Sequence, residues 1–238
     1  ITATRTKRDI DDVATPVTVI TSKDMENMGS MRLGEVLEEQ AGITTISDHG
    51  NGIQVQGFDS EYTLILLDGQ PLIGRTAGTL ELNRITVNNI DKIEITKGPS
   101  SSLYGSDALA GVVNIITKSP EKKMSSNLRF LHRTYNTNDI TADFEVKKNR
   151  VGAYMSLNRF SSDGYDLTPE TVSRTASKFN SYTATGNFTY DLSPRSLLKL
   201  NLRYFSEDQG GKSEVEIEDV NTLLNSEANQ NDWNFSPV

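Results

Sequence analysis

The chain has 238 residues, no cysteine and a formal net charge of −8. With no basic cluster to override it, that charge speaks against a nucleic-acid surface. The missing cysteines exclude disulfides, thiolate zinc sites, iron–sulfur clusters and a cysteine nucleophile. No run of about 18 apolar residues could form a membrane helix, but a β-barrel needs only alternating strands, so a membrane stays open. The sequence begins at Ile1 with no Met and no signal-peptide pattern, so its terminus neither shows nor excludes export.

Residues 1–12 are polar and charged. Val17, Val19 and Ile20 follow Pro16 and read as a short strand. Ser22 to Met28 has room for one or two helical turns. Ser30 stands as N-cap to a helix over Met31 to Gln40, with Leu33, Val36 and Leu37 on its buried face and Gly42 as its stop. A turn at Asp48, His49, Gly50, Asn51 and Gly52 leads to a strand through Ile53 and Val55. Leu64 to Leu67 is an apolar strand that ends in the turn dipeptide Asp68-Gly69. A second glycine-bounded loop runs from Gly74 to Gly78 and contains Arg75 and Thr76.

Ile93 and Ile95 then alternate with Glu94 and Thr96, the period of a half-buried strand. A loop rich in glycine and serine separates this strand from Val112, Val113, Ile115 and Ile116, a β-branched run that fits a mostly buried strand. The expectation to this point is a mixed α+β domain with a four- to five-stranded sheet and short helices.

From Met124 the helical period vanishes. Ile140, Ala142, Phe144 and Val146 alternate with Thr141, Asp143, Glu145 and Lys147, and the same pattern recurs through residues 151–158, 181–190 and 198–204. Residues 127–135 are strand-like but less regular. About five antiparallel strands result, each near the length of a tilted membrane strand. The turns at 147–150 and 191–195 are tight, while 161–177 and the segment after Ser206 read as long polar loops. Tyr135, Phe160, Tyr182, Tyr190 and Tyr204 stand at strand ends, where aromatic girdles sit. A soluble antiparallel sheet with one wet face gives the same alternation. Five strands are also fewer than the roughly eight of the smallest membrane barrels, so the chain is expected to hold only the opening of one.

No GxSxG elbow, HExxH, P-loop or GxGxxG occurs, and the serines after Gly98-Pro99 have no base at a motif spacing. An enzyme is therefore not expected. Asp163, Asp166 and Glu170 offer oxygen ligands of the kind calcium takes, and as loop carboxylates they serve equally well without a metal.

Three blocks resemble the plug domain of TonB-dependent outer-membrane receptors. The most specific runs Ile93-Glu94-Ile95-Thr96-Lys97-Gly98-Pro99, then Leu103-Tyr104-Gly105, Ala108 and Gly111, and Val113-Asn114-Ile115-Ile116-Thr117-Lys118. The other two are Pro16 to Ile20 with Leu33 to Gly42, and Ile53 to Leu72. Together they cover residues 1–119, far more than a single short motif. The strand-rich remainder stands where that family begins its barrel of about 22 strands.

The resemblance implies a tail of the TonB box at Ile1, Thr2 and Ala3 within 1–8, a plug over 9–119 and the start of a barrel over 120–238. It implies active uptake of a scarce metal chelate, a ferric siderophore or haem, with cobalamin as the alternative cargo and no resident cofactor. TonB, with ExbB and ExbD, would be the partner, together with outer-membrane lipid. The protein would lie in the outer membrane of a Gram-negative bacterium, with its plug inside the barrel and its N-terminus towards the periplasm. Asp48, His49, Asn51, Arg75 and Thr76 would face the ligand from apical loops, with His49 placed to reach a haem iron. Gln56 and Lys97 stand where the family commonly carries arginines that hold the plug to barrel carboxylates. A plug-like soluble binding or sensor module is the reading from another class.

Overall fold

The computed structural model describes residues 16–47, 51–72, 81–98, 104, 108–168, 175–193, 196–217 and 220–237, with side chains omitted at 47, 51, 211–217, 220–227 and 236–237. They form two compact units that part between Lys118 and Ser119.

The first unit opens with β1 (Val17–Thr21), which runs directly into helix α1 (Ser22–Met28). Thr21 caps α1 in a capping box: its hydroxyl accepts the Asp24 N–H at 3.3 Å, and Asp24 Oδ2 accepts the Thr21 N–H at 2.9 Å. Helix α2 (Leu33–Glu38) is shorter than its sequence pattern. Ser30 does not cap it. Arg32 is the N-cap residue; its guanidinium carries no acceptor atom and makes no cap bond, while its backbone forms a β-bridge with Thr86. Glu35 instead reaches back to accept the Met31 N–H at 2.8 Å.

Strands β2 (Ile43–Ser47) and β3 (Asn51–Val55) pair as a hairpin, with Ser47 opposite Asn51. β2 is not among the strands expected from the sequence, although Ile43, Thr44, Thr45 and Ile46 are all β-branched. Then come β4 (Thr63–Leu67), the two-residue β5 (Gln70–Pro71), β6 (Ile90–Lys97) and β7 (Gly111–Thr117). The main sheet has the order β1-β6-β7-β4-β5, with β4 and β7 parallel and the other pairs antiparallel. Leu33, Val36 and Leu37 pack with Ile53, Val55, Ile65, Ile93, Ile95, Val113 and Ile115 in one apolar core. A smaller cluster joins Leu64, Leu66, Ala108 and Val112, with Tyr104 against it.

One expectation fails at β6. Glu94 was placed on a wet face by the alternation, yet it is 0% exposed. β6 lies between β1 and β7, its residues from Ile93 to Thr96 are all buried, and Glu94 is paired across the ladder with Asn114. Lys92 supplies the counter-charge, with Nζ 2.8 Å from Glu94 Oε1.

The second unit is an antiparallel meander of β8 (Met124–Arg133), β9 (Thr137–Lys148), β10 (Val151–Ser162), β11 (Lys178–Ser193), β12 (Ser196–Ile217) and β13 (Val220–Pro237). There are six strands here rather than five, because the segment after Ser206 continues β12 and returns as β13 instead of forming a loop. Every residue from Leu200 to Ile217 is paired across to β13. Residues 206–214 hold no aliphatic or aromatic side chain, so the sequence there carries no apolar alternation although the backbone pairing continues.

Burial in this sheet is inside-out. Leu128 is 75% and Trp233 80% exposed, and Phe130, Met155, Leu157 and Phe235 are exposed as well. On the opposite face Asp139, Thr141, Ser156, Asn158, Thr183 and Asn187 are buried. A soluble sheet buries its apolar face and wets its polar one. The reverse distribution belongs to a barrel wall with an apolar exterior and a polar lumen.

Candidate functional site

The features that brace the first unit gather at its turns. Asp68 and Gly69 connect β4 to β5, and Asp68 adopts φ 49°, a left-handed conformation that Asp tolerates better than most side chains. This geometry turns the Asp68 carboxylate onto β7. Oδ1 accepts the Thr117 N–H at 3.0 Å and Oδ2 accepts the Thr117 hydroxyl at 2.6 Å. Asn114 Oδ1 accepts the Gly69 N–H at 3.2 Å, and the Asp68 N–H donates to the Ile115 carbonyl at 2.8 Å. The next residue is held too: Lys118 donates from Nζ to the Asn88 carbonyl at 2.8 Å and from its N–H to Asn89 at 2.9 Å. The Asp-Gly dipeptide was legible as a turn, but its role as a clamp on the last plug strand was not.

The two lock candidates meet at one short loop. The Lys97 ammonium donates to the Ala41 carbonyl, and the Gln56 N–H donates to the adjacent Gly42 carbonyl at 2.8 Å. The Gln56 side chain is exposed and its backbone sits at φ 53°. At the start of β7, Gly111 holds φ 152°, and a Cβ there would collide with the Thr96 carbonyl oxygen. This explains the need for glycine at that point of the motif.

Of the ligand-facing candidates, Asp48, His49, Arg75 and Thr76 lie outside the described residues, as do Ile1, Thr2, Ala3 and Glu170. Asn51 is the first residue of β3, so the segment 48–50 is the connection of the β2–β3 hairpin. Asp163 is engaged by protein groups: Asn136 Nδ2 donates to Oδ2 at 3.0 Å and Lys178 Nζ lies 3.4 Å from Oδ1. Asp166 Oδ1 accepts the Thr168 N–H at 3.0 Å. Among the described residues no three acidic or histidine side chains converge on a metal position.

A second brace, missed from sequence, holds the segment that leaves Lys118. Glu145 on β9 accepts the backbone N–H groups of Glu121 and Lys122, the latter at 2.6 Å, and the Ser125 hydroxyl at 3.1 Å. Pro120 is buried over Gly152, where an added Cβ would stand 2.6 Å from Pro120 Cγ and 2.5 Å from Thr189 Oγ1. One carboxylate and one missing side chain thus dock the segment onto β9 and β10.

Comparison with known proteins agrees with this architecture. Residues 9–112 match the family described as TonB-dependent Receptor Plug Domain. A vitamin B12 transporter, BtuB of Vibrio vulnificus, is 37% identical over 130 residues, covering 53% of this chain and 21% of its own length. The ferripyoverdine receptor of the outer membrane of Pseudomonas aeruginosa, bound to ferripyoverdine, has a TM-score of 0.74 at 18% identity, covering 94% of this chain and 30% of its own. A variant of the ferric enterobactin receptor from the same species, in complex with enterobactin, gives 0.68 at 19% identity, covering 92% of this chain and 42% of its own. The chain therefore spans about a fifth of the curated relative's length and under half of these two structures. The solved structures establish the fold, and the plug match fills most of the first unit: residues 9–112 are similar to the plug domain of TonB-dependent receptors, and the chain has the fold of such a plug followed by antiparallel strands of a barrel.

Proposed function

We propose that this chain is part of a receptor that takes up a scarce metal chelate across the outer membrane of a Gram-negative bacterium, driven through TonB. The observation that carries the reading is the plug, matched over residues 9–112, followed by a sheet whose apolar residues face outward. On β11, Tyr182 and Tyr190 stand eight residues apart on the outward face. That spacing spans about 27 Å along a strand and roughly 20 Å of height at the usual tilt, close to the apolar band of an outer-membrane barrel. In this reading the two-residue link at Asn149 and Arg150 is a periplasmic turn, and the longer connection from Ser162 to Lys178 lies at the outer end.

In this reading residues 9–119 are the plug and 120–238 the start of the barrel wall. Asp48, His49, Asn51, Arg75 and Thr76 face the ligand, and a segment at Ile1 to Ala3 belongs to the strand-addition site for TonB. ExbB and ExbD supply the proton-motive force. Lys97 and Gln56 lie at one loop and form the proposed plug–barrel lock.

A ferric siderophore or haem is the leading cargo, in keeping with the ferripyoverdine and enterobactin named for the fold neighbours. Cobalamin is the second reading, favoured by the 37% identity to a vitamin B12 transporter. Equilibrium binding of a panel of ferric siderophores, haem and cobalamin to outer-membrane vesicles bearing the full-length receptor decides between them. Saturable binding of one class is expected, and binding of none would remove the transport reading in favour of a binding or sensor module.

A further inference from the structure

On the outward face of the sheet, beside the β9–β10 turn, there is an open pocket of ≈ 660 Å³. Val146, Val151 and Ala153 form its apolar part, and Lys148, Asn149 and Arg150 form its rim. Val146 and Ala153 are cross-strand partners, as are Lys148 and Val151, so the pocket is two rows of one ladder. The next outward row continues with Phe144 and Met155, both exposed. The apolar part of the pocket is therefore continuous with the band that faces lipid.

The rim is different in kind. The turn reads Lys147-Lys148-Asn149-Arg150, and Lys148, Asn149 and Arg150 are all exposed. Its backbone is fixed: Asn149 adopts φ 55°, and the Arg150 carbonyl accepts the Asp191 N–H at 2.9 Å. Asp191 is the acidic residue nearest in the ladder, and no ion pair joins it to Lys148 or Arg150 among the described residues. Two cations on a rigid turn thus stand at the edge of an apolar surface, in a chain whose net charge is −8.

We propose that this pocket binds an anionic glycerophospholipid of the periplasmic leaflet. An acyl chain lies along Val151, Ala153 and Met155, while Lys148 and Arg150 take the phosphate, whose negative charge no headgroup ammonium offsets. Asn149 contributes a neutral donor. The chemistry favours an anionic over a zwitterionic headgroup, because a zwitterion brings its own ammonium to a site already lined with cations. Each cation near such a headgroup is worth about 1 kcal/mol, or roughly fivefold in affinity.

The inference rests on the outer-membrane reading above. It is tested by native mass spectrometry of the detergent-purified full-length receptor, titrated with phosphatidylglycerol and phosphatidylethanolamine of matched acyl chains. We expect phosphatidylglycerol to bind more tightly. The double variant Lys148→Gln, Arg150→Gln should lose that preference by roughly tenfold or more while still binding phosphatidylethanolamine. Val151→Ser should weaken both lipids. Equal binding of the two lipids by the unmodified receptor, or an unchanged preference in the double variant, would overturn the proposal while leaving the barrel reading intact. A receptor that takes up no lipid and does not insert into vesicles would instead remove the outer-membrane reading itself.

Discussion

Asp68 and Thr117 are 49 residues apart in sequence and share two hydrogen bonds, one from the Thr117 amide and one from its hydroxyl. The carboxylate of a turn thereby fixes the end of the last plug strand. The Lys118 ammonium and amide fasten the next residue to Asn88 and Asn89. These bonds hold the far end of the plug within its own unit.

Removing the carboxylate with Asp68→Ala strips both bonds and also places alanine at φ 49°. A lost charge-assisted bond costs about 1.5–3 kcal/mol, so the Thr117 amide should exchange at least tenfold faster in the full-length receptor. Asp68→Asn should be milder, since Asn tolerates the left-handed backbone and keeps an acceptor oxygen. Unchanged protection at Thr117 in the alanine variant would show that the clamp is idle.

The capping box makes α1 sensitive to pH. The Thr21 hydroxyl, and after it the Thr21 amide, donate to the ionised Asp24 carboxyl and hold it below its usual range. The unfolded chain binds that proton at higher pH than the folded one. The contribution is therefore complete above the ordinary carboxylate range and fades as pH falls through the lowered value. Amide protection in the first turn of α1 should fall on acidification. In Thr21→Val it should be weaker at neutral pH and shallower against pH, with only the backbone amide left to donate to the carboxylate. A wild-type profile equally flat would contradict the assignment.

How legible this was depended on which force set each element. The α2 face was readable because Leu33, Val36 and Leu37 follow helical spacing and burial follows spacing. Its start was not, because a β-bridge between Arg32 and Thr86 overrode the cap that Ser30 would have made. Glu94 was misplaced because alternation assumes one wet face, and β6 has neither. Read from sequence, β12 ends at Ser206 and β13 is a loop, because the apolar alternation stops there although pairing continues to Ile217. The roles of Asp68 and Glu145 depend on contacts across 49 and 24 residues, which no local pattern encodes.

The docked segment at 119–123 should be as rigid as the strands it touches. Gly152→Val would drive a side chain into Pro120 and Thr189, and Glu145→Gln would weaken the acceptor for the amides of Glu121 and Lys122. Both should speed exchange of those two amides by about tenfold or more, on the scale of a lost charge-assisted bond. No change in either variant would mean the segment is held by other contacts.

The most direct measurement is accumulation of the bound chelate by cells that carry the full-length receptor, with and without TonB. The account predicts uptake against the gradient when TonB is present, and binding at the cell surface without accumulation when it is absent. Equal accumulation in both cells would contradict it.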